Sequence, residues 1–209
     1  MTKFKTIVGI DEVGRGPIAG PVAVCALCIC QNQNLNHENK FTGVHFRNFK
    51  DSKKLSHLQR LGWLEKIEKE RKKGNICYCV SFEGQQVIDK HGIVFAINRA
   101  LKKSLHALRQ GATLPEESKV LLDGGLKAPS EYKNQTTIIK GDEKKLVIAL
   151  ASIVAKVKRD ELMVRLAKKY PQYGFEQHKG YGTKSHYAAI ARYGISALHR
   201  KSFLRKLIK

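Results

Sequence analysis

The β-branched, apolar run Thr6–Ile10 ends in two adjacent carboxylates, Asp11 and Glu12, and a turn punctuated by Gly14, Gly16, Pro17, Gly20 and Pro21 follows at once. A second apolar run, Val22–Ile29, comes after that turn. Runs of this kind read as buried strands, so the chain has to fold with an acidic pair at the end of a core strand. Neighbouring carboxylates repel, and at least one titrates high unless a cation sits between them. Acids are also scarce here: 39 Lys+Arg stand against 18 Asp+Glu, for a formal net charge of +21. A divalent ion such as Mg²⁺ or Mn²⁺, which prefers hard oxygen ligands, removes the penalty.

The remaining pattern alternates helices and strands. Val44–Phe49 reads as a short strand after a polar, Asn-rich loop at Asn32–Lys40. Ser56–Lys73 has Leu58, Leu61, Leu64 and Ile67 at helical spacing, with Ser56 as N-cap and Gly74 as stop. Ile76–Phe82 alternates as a strand, and Gly92–Gln110 is an amphipathic helix. Short strands follow at Val120–Leu122 and Thr136–Ile139, then a long helical pattern over Leu146–Lys169 and a basic, largely helical end. This order predicts an α/β domain with a mixed central sheet flanked by helices, over residues 1–165, and a basic C-terminal helical extension, residues 166–209, packed on the same domain.

Asp123 and Asp142 also fall just past strand ends, where open α/β sheets collect ligand chemistry. Taken singly, each reads equally well as a turn or cap residue. Together with Asp11 and Glu12 they form a set of four carboxylates that a sheet can bring together. A four-carboxylate site holding two metal ions ~4 Å apart suits in-line displacement at a phosphodiester.

The charge excess points to a polyanionic partner, with nucleic acid ahead of an anionic membrane surface. Length predicts one globular domain, or one with a modest extension, large enough to need no staple. No stretch reaches the ~18 apolar residues of a spanning helix, and the N-terminus lacks the pattern of a secretory signal; a cytoplasmic protein is expected. The five cysteines, Cys25, Cys28, Cys30, Cys77 and Cys79, lie in apolar alternating runs and read as small hydrophobes on strands rather than disulfide partners or zinc ligands.

Gly14-Arg15-Gly16 is well suited to phosphate and sugar. Glycines let a backbone approach a ligand closely, successive N–H groups form an anion-binding concavity, and Arg15 can pair bidentately with phosphate. A turn of this kind could read a 2′-hydroxyl, the atom that separates RNA from DNA.

The stretch Gly9-Ile10-Asp11-Glu12-Val13-Gly14-Arg15-Gly16-Pro17-Ile18-Ala19-Gly20-Pro21-Val22 resembles the opening signature of the ribonuclease HII family. Asp51-Ser52-Lys53-Lys54-Leu55-Ser56 is similar to its lysine-rich loop, Leu122-Asp123-Gly124 and Lys140-Gly141-Asp142 to its later acidic motifs, and Ala151–Asp160 to the helix that follows. His178-Lys179-Gly180-Tyr181-Gly182-Thr183 and His199-Arg200-Lys201-Ser202-Phe203 are similar to its C-terminal signatures, so the likeness spans essentially the whole chain. Gly125 departs from the commoner Asn at that place.

The resemblance implies an RNase H-like fold and an endonuclease that cuts the RNA strand of RNA–DNA hybrids and nicks DNA duplexes 5′ to embedded ribonucleotides. Products would carry 3′-hydroxyl and 5′-phosphate ends, and the activity would support ribonucleotide removal from DNA. It implies a metal-binding, catalytic quartet of Asp11, Glu12, Asp123 and Asp142 holding Mn²⁺ or Mg²⁺, two ions in the substrate complex, with Asp11 bridging them. Gly14, Arg15 and Gly16 would contact the 2′-hydroxyl, and Tyr181 would stack on the deoxyribose after the junction; a loop anchor is the alternative for Tyr181. Lys53, Lys54 and Lys179, with Lys144 and Lys145, would contact phosphates. Asp160 is an alternative fourth acid, although an intrahelical salt bridge to Arg159 is the preferred reading. Lys201–Lys209 reads as a basic tail helix on the duplex or as a solubilising face. The family likeness suggests a monomer without the separate N-terminal domain of the sister type, ribonuclease HIII. Composition alone would equally fit a non-catalytic RNA-binding protein; the carboxylate set is what speaks against it.

Overall fold

The computed structural model describes residues 6–29, 55–111, 114 and 118–205. The readings at Cys30, Asn32–Lys40, Val44–Phe49, Lys53, Lys54 and the last four residues of the chain fall outside this range.

Strands β1 (Ile7–Val13), β2 (Val22–Ile29), β3 (Ile76–Glu83), β4 (Lys119–Asp123) and β5 (Gln135–Ile138) form one five-stranded sheet in the order β3-β2-β1-β4-β5. β1 runs antiparallel to β2 and parallel to β4, β2 is antiparallel to β3, and β4 is parallel to β5, so the sheet is mixed. β1 extends past the apolar run through both acids, because its ladder with β2 continues to Val13 opposite Ala23.

Period-2 alternation sends Val8 and Ile10 to one face of the sheet and Gly9, Asp11 and Val13 to the other. The first face packs on helix α3 (Ile93–Gly111) through Ile97, Leu101, Leu105 and Leu108. The second is covered by α1 (His57–Lys72) and the long α5 (Leu146–Ala167). Ser56 caps α1 in a reciprocal pair with Gln59, as its position before the periodic run predicts. Two short helices escaped the periodicity reading: α2 (Gln85–His91) and α4 (Gly141–Lys144), each too short to repeat an apolar face. Cys25 and Cys28 are buried on β2 and Cys77 and Cys79 half-buried on β3; these four are free thiols. No helix among the described residues is long and apolar enough to cross a membrane.

Beyond α5, the short helix α6 (Phe175–His178) and then α7 (Lys184–Tyr193) fold back on the second half of α5, around Phe175, Tyr173, Met163 and Ala19. Residues 201–203 form a single 3-10 turn, not the start of a longer tail helix, because Asp89 of α2 accepts from the Lys201 and Ser202 amides and from the Ser202 hydroxyl. Leu204 then buries its side chain.

This C-terminal layer contains a proton-ordered histidine chain. The Ser196 amide donates to His199 Nδ1 at 2.8 Å, so the His199 proton sits on Nε2. His199 Nε2 lies 3.1 Å from His186 Nε2, which must therefore accept, leaving His186 Nδ1–H to donate to the Tyr181 carbonyl at 2.9 Å. An extra proton would set two N–H groups against each other, and burial pushes the His186 imidazole down from 6.5 to about 4. The unfolded chain then takes up this proton first, so the contribution is present above pH 6.5 and lost as pH falls towards 4. Urea unfolding is expected to show stability falling by about 2–3 kcal/mol across that interval. In His186→Gln, that part of the profile is expected to flatten.

Candidate active site

The carboxylates are placed by the sheet register. Ile10 pairs with Leu122 across the parallel β1–β4 ladder, so the next residues, Asp11 and Asp123, emerge side by side on the face under α5. Helix α5 can lie close there because β1 has no side chain at Gly9: a Cβ at Gly9 would lie 2.4 Å from the Val147 carbonyl carbon. The helix thereby brings Ser152 to Asp11, where the hydroxyl donates to the carboxylate.

A cavity of about 420 Å³ opens at this point. Asp11, Glu12 and Asp123 line its acidic side, and Ser152, Lys156 and Tyr181 line the side built by α5 and the loop before α7. Arg60 reaches it from α1. Asp11 is 6 % exposed. Its carboxyl is held well above the usual range, first by burial and then by the Glu12 and Asp123 charges, against the Ser152 hydrogen bond. Burial also raises Glu12, which Arg15 partly offsets from 3.5 Å. The donor set is all oxygen, clustered and mutually repelling, which is the chemistry of a hard divalent-cation site. Among the described residues no group of three or more Asp, Glu, His or Cys side chains already stands at coordination geometry.

Asp142 is 1 % exposed, in the first turn of α4, and does not line the cavity. It is tied to the site through its neighbour: the Gly141 amide donates to Asp123 Oδ1 at 2.6 Å. Asp160 also stays out of the cavity lining. Its expected partner Arg159 is not the one it has; Asp160 accepts from Lys156 Nζ at 2.8 Å, one helical turn back on the same face. Successive residues on a helix point about 100° apart, which sends Arg159 elsewhere. Its Nε donates to the Pro21 carbonyl at 2.9 Å and its Nη1 to the Lys179 carbonyl at 3.0 Å.

Gly14 and Gly16 turn out to be glycines for different reasons. Gly14 has φ +89°, and a Cβ there would lie 2.2 Å from Arg159 Nε. A Cβ at Gly16 would meet nothing within 4 Å, and its φ is not in the left-handed region, so the fold itself does not require glycine there. Arg15 is exposed beside it. Tyr181 is 40 % exposed, with Lys156 Nζ 5.6 Å and the Arg159 guanidinium 5.9 Å from its ring. Its backbone is anchored from below by His186. Lys179 is half-buried, with its amine on the Glu176 carbonyl, while Lys144 and Lys145 are exposed.

Arg60, Ser152 and Lys156 were missed as site residues in the sequence. Ser152 and Lys156 sit four apart in the helical pattern after the last acidic motif, so their common face was legible; Arg60 carried no such signal. Thermal unfolding is expected to separate the two glycines: Gly14→Ala melts about 5 °C or more below the parent, and Gly16→Ala within about 2 °C of it.

The comparisons with known proteins agree with this geometry. The family model for ribonuclease HII matches residues 8–206. Proteins named ribonuclease HII from Fusobacterium nucleatum and Prochlorococcus marinus are 41% and 40% identical to the chain, over 99% and 98% of it and 89% and 99% of their own lengths. Among solved structures, ribonuclease H2 from Pyrococcus horikoshii is 24% identical with a TM-score of 0.69, covering 97% of this chain and 96% of that one. Ribonuclease HII from Archaeoglobus fulgidus, solved in a complex with PCNA, is 25% identical with a TM-score of 0.65, over 95% of this chain and 94% of that one. Bst-RNase HIII, solved in complex with Mn²⁺, shares the fold at 16% identity and a TM-score of 0.64, over 91% of this chain and 63% of that one. With an RNase H-like mixed sheet, an acidic cleft at the end of β1 and a family match along nearly its whole length, the chain belongs to the ribonuclease HII family.

Proposed function

We propose that this protein is a divalent-metal-dependent endonuclease that hydrolyses the RNA strand of RNA–DNA hybrids and nicks duplex DNA 5′ to an embedded ribonucleotide. The cut leaves 3′-hydroxyl and 5′-phosphate ends. One observation carries the reading: in a chain of net charge +21, Asp11, Glu12 and Asp123 converge on one cavity, next to the glycine-bearing turn. A protein that only gripped phosphate would gain nothing from placing carboxylates there, since they repel the ligand.

In this reading Asp11, Glu12 and Asp123 would hold Mn²⁺ or Mg²⁺ in the cavity, and Asp142, beside the Gly141 amide that binds Asp123, would complete the set. When bound, the ions supply Lewis acidity towards the attacking water and the departing 3′-oxygen. The protein's own groups provide position and selection. Ser152 fixes the Asp11 carboxylate by its hydroxyl. The Gly141 amide fixes one oxygen of Asp123, a residue that lines the cavity. Gly16 gives backbone access to the ribose because nothing projects from it, and Arg15 takes the adjoining phosphate. Tyr181 offers a ring face at the rim for the sugar that follows, and the remaining lysines supply sequence-blind attraction that weakens with salt.

A duplex with a single ribonucleotide is expected to be nicked with Mg²⁺ or Mn²⁺ and left intact in excess EDTA; cleavage in EDTA contradicts the assignment. Asp11→Asn is expected to lower kcat by at least about a thousandfold while hybrid binding stays within about threefold. Tyr181→Ala is expected to lower kcat at the single ribonucleotide by about tenfold or more, with a smaller effect on duplex binding.

A further inference from the structure

Two arginines, Arg159 and Arg200, are each 0 % exposed, and neither forms an ion pair with a described carboxylate. Burying a charge without a counter-ion is expensive, so a residue needed only to fill space would not be an arginine. Burial, and the Arg159 charge beside it, push the Arg200 guanidinium down to about 9. Both spend their donors on backbone carbonyls. Arg159 takes those of Pro21, Lys179 and Ala19. Arg200 takes those of Gly14 at 2.7 Å, Arg15 at 3.1 Å and Gly20 at 2.9 Å.

The choice of the Gly14 and Arg15 carbonyls has a stereochemical consequence. In a planar trans peptide the C=O of one residue and the N–H of the next point in opposite directions, and no peptide among the described residues is cis. With both carbonyls turned inwards onto Arg200, the Arg15 and Gly16 amides face outwards. Neither amide has an acceptor among the described residues. Gly16 is exposed and offers no side chain to block an approaching ligand. A cation on a carbonyl oxygen also polarises that peptide and strengthens its N–H as a donor.

We propose that Arg200, far along the chain from the turn, is a positioning residue for ribonucleotide selection. It holds the Gly14–Gly16 peptides so that the Arg15 and Gly16 amides present polarised donors to the 2′-oxygen of the substrate ribose. The proposal rests on the reading of this turn as the ribose contact. Arg200 touches no substrate; it acts through two peptide planes. The planar fork is required, since a lysine ammonium cannot span the Gly14, Arg15 and Gly20 carbonyls at once.

The test is a double-mutant cycle on a duplex with one ribonucleotide in Mg²⁺, measured well below the melting temperature of every variant. Gly16→Ala and Arg200→Lys are each expected to lower kcat by about tenfold with KM within about twofold. Because both act on the same amides, the double variant is expected to be about as slow as the slower single one, not a further tenfold worse. Arg159→Lys, which loosens the Ala19, Pro21 and Lys179 carbonyls instead, gives the benchmark for a buried-arginine change that leaves the Gly14 and Arg15 carbonyls in place, and its loss should multiply with that of Gly16→Ala. A fully multiplicative loss for Arg200→Lys with Gly16→Ala overturns the proposal, as does parent-like kcat in Arg200→Lys when Gly16→Ala is impaired. Parent-like kcat in Gly16→Ala overturns the reading of the turn itself.

Discussion

Helix α5 lies so close across β1 that one methyl group at Gly9 would overlap the Val147 backbone. From that contact a single face of the helix sets out the site in order. Ser152 reaches Asp11, Lys156 lies between Asp160 and the Tyr181 ring, Arg159 takes the carbonyls behind the glycine turn, and Met163 packs under Gly20. These positions are three or four residues apart, so they fall on one side of the helix. Raising the helix by the width of a side chain at Gly9 would displace all of them together.

The protein deals with its buried charge in two ways. Its arginines are satisfied in place: Arg159 and Arg200 form no ion pair with a described carboxylate, yet carbonyls of the Gly14–Pro21 segment, with that of Lys179, accept their hydrogen bonds. Its acids are not. Asp11 is buried against Glu12 and Asp123 with only a serine hydroxyl and a backbone amide to offset them. Unrelieved repulsion between like charges therefore gathers among the carboxylates where the proposed reaction occurs, while hydrogen bonds to carbonyls offset the cost of the buried arginines that hold the turn.

Much of this could be read from the residues. Apolar runs located β1 and β2, alternation located β3, helical spacing located α1, α3 and α5, and the strand ends located Asp11, Glu12 and Asp123. Legibility failed where partners are remote in sequence. Arg159 was read as pairing with its neighbour Asp160, whereas its acceptors lie well over a hundred residues earlier, at Ala19 and Pro21, and at Lys179. Arg200 carried no signal beyond its place in the His199–Phe203 motif, and the Ala19–His199 bridge that closes the C-terminal layer onto the turn shows why it is buried. The different reasons for Gly14 and Gly16 were also illegible, because they depend on what stands opposite each Cα. The short α2 and α4 gave too few turns for a period.

The central claim is that the acidic cleft is held at a cost that a divalent cation relieves. The most direct measurement is the melting temperature of the parent and of Asp11→Asn, each metal-free and each with Mn²⁺. Without metal the variant is predicted to melt above the parent, since it removes a buried charge with raised pKa and keeps an acceptor for Ser152. With Mn²⁺ the parent is predicted to rise and the variant to stay nearly unchanged, reversing the order. A variant that melts below the parent without metal, or a parent that Mn²⁺ does not stabilise, would contradict the account.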